Sequence, residues 1–116
     1  MNTGKVSNSI LKRSVLKLIK KNRKEVISGA SIGADSAIIH MPEGCNAALS
    51  SSNARYGIYR ITNNLAAVNA RLVAVMANII LPEESEESTL KAVVRELQEQ
   101  CTNLNVQISG GHTEVS

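Results

Sequence analysis

The final third of the chain carries the pattern that most restricts the fold. An apolar run over residues 72–81 contains several β-branched side chains and ends at Pro82. A second run, residues 106–108, is short and also β-branched. Between the two runs, apolar side chains recur at the three- and four-residue spacing of an amphipathic helix: Leu90, Val93, Val94, Leu97, Cys101 and Leu104. The sequence therefore predicts strand, helix and strand in that order.

The ends of this helix are also indicated. Ser85 is a candidate N-cap, and the carboxylates of Glu86 and Glu87 suit the positive end of the helix dipole in its first turn. Asn103 or Asn105 is a residue type that accepts the left-handed conformation at a helix end. We expect the helix to begin near residue 86 and to end near residue 104.

The first two thirds of the chain add four elements. Helical patterns extend from Ser7 or Ser9 to about Lys21 and over residues 56–70, and strand patterns cover residues 37–41 and, more weakly, 46–49. The predicted class is one α+β domain with a mixed sheet of about four strands and helices on one face. The other face would expose apolar surface, so we expect a homodimer that pairs this face.

Composition excludes several classes of protein. Phe and Trp are absent, which argues against base stacking on single-stranded nucleic acid. Eight of the thirteen basic residues lie in the first twenty-four positions. Because they alternate with apolar residues, we interpret them as the solvent-exposed face of an amphipathic helix and not as a polyanion-binding surface. Cys45 and Cys101 lack metal-ligand spacing, and Cys101 lies on an apolar stripe as a buried thiol would. The run over residues 72–81 is too short to cross a bilayer as a helix, and a cytoplasmic location is expected.

Four motifs in order resemble one known family. They are an acid on a glycine-containing loop just before a strand at residues 33–39, an amide pair at residues 63–67, the run at residues 80–84, and a glycine pair at residues 110–114. Together they resemble the amino-terminal domain of the aminoimidazole ribonucleotide (AIR) synthetase superfamily, from about Ser9 onward. The likeness is greatest to its AIR synthase-related and hydrogenase-maturation (HypE-like) branch.

The resemblance implies a function and a set of site residues. Members use ATP and Mg²⁺ to phosphorylate a carbonyl or amide oxygen, and they pair through their amino-terminal sheets to form a barrel. A carboxyl-terminal domain closes the nucleotide cleft. By position, Asp35 corresponds to a metal-binding acid. The resemblance places the following residues beside the nucleotide: Asn63, Asn64, Gly110, Gly111, His112 and Thr113.

Three departures from the family pattern argue against activity. Asn64 stands where the family has an aspartate, and a neutral amide is a poorer magnesium ligand than a carboxylate. Residues 50–55 stand where the family usually has a turn with a second acid, and Asn53 occupies the place of that acid. The sequence ends at Ser116 without the family's second domain.

These departures predict a truncated or degenerate domain that is inactive alone and acts as a non-catalytic homodimerisation module. The alternative is the ATP- and Mg²⁺-binding half of an enzyme, completed by a separate carboxyl-terminal-domain chain. Taken singly, the motifs have ordinary explanations. A glycine pair such as Gly110 and Gly111 is more often a turn than a phosphate cradle, Asp35 more often caps a turn, and His40 points to solvent.

Overall fold

The computed structural model describes residues 1–32, 36–52 and 57–116, and it confirms the α+β class. Three helices and a 3-10 turn alternate with five strands in the described part of the chain. The elements, in chain order, are β1 (Gly4–Lys5), α1 (Asn8–Ser14), the 3-10 turn (Leu16–Leu18), β2 (Val26–Ser28), β3 (Ile38–Ile39), α2 (Gly57–Ala67), β4 (Ala74–Leu81), α3 (Glu87–Asn103) and β5 (Gln107–Val115).

The strands form two sheets instead of a single sheet of four. In the larger sheet the order is β1-β5-β4; β5 runs parallel to β4 and antiparallel to β1. The smaller sheet is the antiparallel pair β2–β3. The strand predicted over residues 46–49 is not formed, and Leu49 is 96% exposed. Asn and Ala are poor strand formers, and no apolar partner compensates for them there.

The core lies between the helices and one face of the larger sheet. Val15, Leu81, Leu90 and Val94 form one buried cluster, and Ile58, Cys101, Val106 and Ile108 form a second. Along β4, Val75 and Ile79 pack against these clusters. The alternate side chains of β4 are exposed, as the two-residue period of a strand requires. Helices therefore cover one face of the sheet, which confirms the prediction.

The first helix is shorter than its apolar pattern predicted. Ser7 caps it, because its Oγ accepts a hydrogen bond from the Ile10 amide at 3.4 Å. The α-helix ends at Ser14, and Val15, with φ −121° and ψ −64°, leads into the 3-10 turn. Ser14 is fully buried, and its hydroxyl donates to the Glu87 carboxylate. This contact joins the end of the first helix to α3.

The last helix follows the prediction more closely. It begins at Glu87 with Glu86, not Ser85, at the N-cap, and Glu86 makes no side-chain capping bond. Ser85 instead donates its amide to the Pro82 carbonyl at 3.0 Å in the preceding turn. Asn105 has φ +54°, so it adopts the left-handed conformation that was expected for one of the two candidate asparagines.

Two buried glutamines hold the segment between the 3-10 turn and β2. Gln98 Oε1 accepts the Lys20 amide at 3.1 Å, and Gln107 Oε1 accepts the Arg23 amide at 3.0 Å. Both glutamines are at most 5% exposed. An irregular segment needs partners for its amides, and these two side chains supply them. They connect α3 and β5 to the same segment.

The amino-terminal segment is also tied to the loop before α3. Arg13 makes a bidentate ion pair with Glu87, in which Arg13 Nη2 lies 2.9 Å from Glu87 Oε2. The hydroxyl of Ser14 donates to the same carboxylate. The amino-terminal ammonium donates to the Ser85 carbonyl at 2.9 Å. Hydrogen bonds from Arg13 and Ser14 lower the pKa of Glu87 to about 2. Only the ionised form of Glu87 accepts both bonds fully.

Replacing Glu87 should remove part of the acid sensitivity of the fold. The pKa of Glu87 is about 2 in the fold against a reference value of 4.5, so its contribution is complete above pH 4.5 and is lost as the pH falls toward 2. We expect Glu87→Gln to lower Tm at pH 7 and to flatten the Tm–pH curve over that interval. Calorimetry at several pH values measures both. Glu84→Gln, at an exposed site in the same loop, is the control, and equal curves for the two variants would contradict the assignment.

Candidate functional site

A narrow cleft with a cavity volume of about 70 Å³ lies between α1 with the 3-10 turn and the helix-covered face of the larger sheet. Its walls are mainly aliphatic, and its few polar residues are Lys5, Ser31, His112 and Thr113. This volume is well below the roughly 300–1,000 Å³ that is typical of small-molecule sites. The lining residues are Lys5, Val6, Leu11, Val15, Leu16, Ile19, Ala30, Ser31, Ala77, Ile79, Val94, Leu97, Ile108, Gly110, Gly111, His112 and Thr113.

All four residues predicted beside the nucleotide at the carboxyl end of the chain line this cleft. They lie inside β5, however, and not after its end as the sequence suggested. Thr113 is buried, whereas His112 is exposed and its Nε2 lies 3.4 Å from Glu114 Oε2. A strand sends successive side chains to opposite faces. The residues 110–113 are therefore shared between the two faces of the sheet and do not form one phosphate-binding loop.

Gly111 is explained by strand packing. A Cβ atom at this position would lie 1.9 Å from the Ala77 carbonyl oxygen, and the residue has φ +149°. The register of β5 against β4 shifts between Val75 and Met76, just before this contact, and Ser109 Oγ donates to the Val75 carbonyl at 3.0 Å there. Only glycine fits the close approach at such a bulge. The glycine thus has a structural reason that is independent of any nucleotide.

The other predicted site residues are not brought to the cleft. Asn63 and Asn64 are exposed on α2, and Asn64 Nδ2 donates to Ser50 Oγ at 3.3 Å. In the part of the chain that the structure describes, no residue of α2 lines the cleft. Asp35 and Asn53 lie outside the described residues. The amide pair and the glycine pair are therefore on different surfaces.

Within residues 1–32, 36–52 and 57–116, no group of three or more His, Cys, Asp or Glu side chains could hold a metal ion. The side chains of Asn63 and Asn64 are neutral amides, whereas magnesium is held chiefly by carboxylates, phosphates and water.

The two cysteines have different environments. Cys101 is fully buried in the core cluster with Val106, and burial raises the pKa of its thiol to about 11. A thiol with this pKa is almost entirely protonated at neutral pH and is a poor nucleophile. The predicted burial of Cys101 is confirmed. Cys45 is exposed.

The comparison with protein families identifies the domain. Residues 15–116 match the family model described as AIR synthase related protein, N-terminal domain. Because this match covers most of the chain, the protein belongs to that family. A search of curated proteins returned no match. In the described part of the chain, no helix is long and apolar enough to cross a membrane.

Several residues of the cleft and its surroundings were not predicted. Lys5 is the second residue of β1, and Val6 follows that strand. A strand of two residues is too short to leave a periodic pattern in the sequence. Gln98 offered a usable signal, because it is a polar residue four positions after Val94 on the apolar stripe of α3. A polar side chain at such a position indicates a buried hydrogen bond.

Substitution of Gly111 tests the packing explanation. We expect Gly111→Ala to cost about 2–4 kcal/mol of unfolding free energy, because overpacking adds to an unfavourable φ. Gly44 has φ +78° but open space around its Cβ position, so Gly44→Ala should cost only about 1–2 kcal/mol. Urea denaturation measures both free energies. If the two variants lose the same stability, the contact with Ala77 is not the reason for glycine at position 111.

Proposed function

We propose that this AIR synthase-related domain is a non-catalytic module that forms a homodimer through the uncovered face of its larger sheet. This face, called the open face below, consists of Met76, Asn78 and Ile80 of β4 with Gly110, His112 and Glu114 of β5. The observation that supports this proposal most directly is the exposure of Met76 and Ile80, whose relative exposures are 57% and 62%. Asn78 lies between these two side chains on the same face of β4. Apolar side chains exposed on one sheet face are candidates for an interaction surface.

The sheet edge supports the same proposal. In the order β1-β5-β4, strand β4 has no neighbour on its outer side among the described residues. An edge strand of eight residues presents unpaired N–H and C=O groups, which natural proteins usually cover. Pairing the β4 edges of two copies would cover the edge but not the open face. A closed two-fold barrel, in which the β4 edges pair and the open faces turn inward, would cover both the edge and the apolar side chains.

The described lining of the cleft supports the non-catalytic part of the proposal. Among the described residues the cleft contains no carboxylate, and its polar groups are one lysine, one histidine and two hydroxyl groups. Magnesium-assisted phosphoryl transfer usually places carboxylates beside the metal and the phosphates. The described residues of the cleft do not provide such an arrangement.

A charge on the open face should prevent association. We expect the parent chain to sediment as a dimer and Ile80→Lys to sediment as a monomer, since the lysine would bury its charge at the interface. Val68→Lys is the matched control, because Val68 is 67% exposed and lies beyond the end of α2. Sedimentation velocity over a range of concentrations measures the mass. A parent chain that remains monomeric throughout would contradict the proposal.

The second candidate is the ATP- and Mg²⁺-binding half of an enzyme of the hydrogenase-maturation (HypE-like) or AIR synthase type. It would phosphorylate a carbonyl or amide oxygen together with a separate carboxyl-terminal-domain chain. Family membership and the position of residues 110–113 in the cleft favour it. It ranks second because Asn64 stands where the family has an acid, and because both amides of the pair lie away from the cleft.

Calorimetry with ATP and Mg²⁺ separates the two candidates. Ligand at about a hundredfold excess over its Kd stabilises a domain by about 2.7 kcal/mol, which a Tm measurement detects. The dimerisation proposal expects no shift for the parent chain. A shift for the parent chain would favour the second candidate, and a shift confined to Asn64→Asp would identify a disabled family site.

A further inference from the structure

We propose that mild acidification dissociates the homodimer, because a proton taken up by His112 unbalances the charges on the open face. The inference rests on the dimer proposed above and adds a regulation of the same surface. The two copies associate at neutral pH and separate as the pH falls through the range in which histidine titrates. Three side chains carry the inference and are called the charged row below: Lys5, His112 and Glu114.

Strand geometry places the charged row on the open side of the sheet. Lys5 is directly opposite Glu114 in the antiparallel β1–β5 pair, so the two side chains share one face. His112 is two residues before Glu114 on β5 and therefore points to the same face. In the β4–β5 register, Asn78 is beside His112 and Ile80 is beside Glu114. The charged row therefore borders the apolar side chains that a second copy would cover.

The net charge of the row depends on the protonation of His112. Lys5 carries one positive charge and Glu114 one negative charge, so the row is balanced while the imidazole is neutral. A protonated imidazole leaves one excess positive charge on each copy. Within β1, β4 and β5, the row contains all the ionisable side chains of this face. Because histidine changes its charge between about pH 5 and 8, the excess charge arises on mild acidification.

A separate copy tolerates the excess charge better than the dimer does. In the single chain the side chains of His112 and Glu114 are 45% and 38% exposed, and His112 Nε2 lies 3.4 Å from Glu114 Oε2. Water and the nearby carboxylate both stabilise an imidazolium there. In the closed barrel two charged rows would turn inward, and one carboxylate cannot neutralise both Lys5 and an imidazolium. Since burial of an unpaired charge is costly, the dimer binds fewer protons than two separate copies and is favoured as the pH rises.

The ion pairs that hold the fold do not titrate in the same interval. Hydrogen bonds from Arg23 and Arg13 lower the pKa of Glu25 and of Glu87, respectively, to about 2. Both carboxylates therefore stay ionised at pH 5.5, and their ion pairs stay formed. Dissociation on mild acidification is thus distinguishable from acid unfolding, because the circular dichroism spectrum should be the same at pH 7.5 and 5.5.

Sedimentation equilibrium at pH 7.5 and 5.5 measures the effect. The Kd of the parent dimer should be at least about tenfold higher at pH 5.5, because each copy takes up a proton when it separates. His112→Gln keeps a neutral polar side chain, so its Kd should change by less than about twofold. His40→Gln is the matched control. It removes the other histidine, which is exposed and lies outside the three strands of the larger sheet, and it should keep the full pH dependence.

Removal of the lysine of the charged row should reverse the sign of the pH effect. In Lys5→Gln the row is balanced only when His112 is protonated, so this dimer should be tighter at pH 5.5 than at pH 7.5. Lys12→Gln, at an exposed position of α1, should behave like the parent. A reversal separates charge balance from a simple loss of packing at the interface.

The outcomes distinguish the regulation from the homodimer itself. A parent dimer with the same Kd at both pH values overturns the regulation and leaves the homodimer standing, whereas a parent chain that is monomeric at pH 7.5 overturns both. The assignment to the charged row is overturned if His112→Gln keeps the pH dependence of the parent. It is equally overturned if the Lys5→Gln dimer weakens on acidification as the parent does.

Discussion

The parallel contact between β4 and β5 is the interaction on which the rest of the structure depends. The two strands pair over their whole lengths, from Ala74 with Gln107 to Leu81 with Val115. At Gly111 the backbones approach so closely that a side chain would overlap the Ala77 carbonyl. Because parallel strands need a crossover, α3 connects them, and its apolar stripe covers the sheet. Both core clusters include residues of α3 and of this strand pair.

This strand pair gives the two sheet faces different properties. On the covered face, α1, α2 and α3 bury the aliphatic side chains, and imperfect closure beside α1 leaves the cleft. On the open face, Met76 and Ile80 remain in water. Since exposed apolar area is unfavourable in proportion to its size, the open face is a place where a second copy would stabilise the fold. Burial on one face and exposed apolar side chains on the other are consequences of the same pair of strands.

The sequence predicted the elements with strong periodicity and missed those fixed by tertiary contacts. The strands over residues 72–81 and from residue 106, with the helix between them, follow from apolar spacing alone. The end of α1 at Ser14 was not predicted, and a hydrogen bond joins it to Glu87, far away in the chain. Strand β1 has only two residues, and it forms because its backbone pairs with β5 at the edge of the sheet. Such contacts leave no local pattern in the sequence.

The candidate site was predictable in part for the same physical reasons. Residues 110–113 line a small cleft, but strand geometry divides their side chains between two faces, and their expected role beside a nucleotide stays a prediction. Asn63 and Asn64 lie on a different surface, because the buried face of α2 is set by Ile58 and Leu65. The prediction for Asp35 stays a prediction, since that residue lies outside the described part of the chain. The order of motifs in the sequence can identify a family. Which of the motif residues lie together in the fold depends on the direction in which each strand or helix points its side chains.

Hydrogen exchange at increasing protein concentration is the most direct test of the open face as an interface between copies. Backbone amides of β4 in residues 76–80 should exchange more slowly as the concentration rises, because association would cover this strand and its unpaired edge. The amides of α3, already protected by the core, should exchange at the same rate at every concentration. Exchange in β4 that does not depend on concentration would contradict the proposed homodimer.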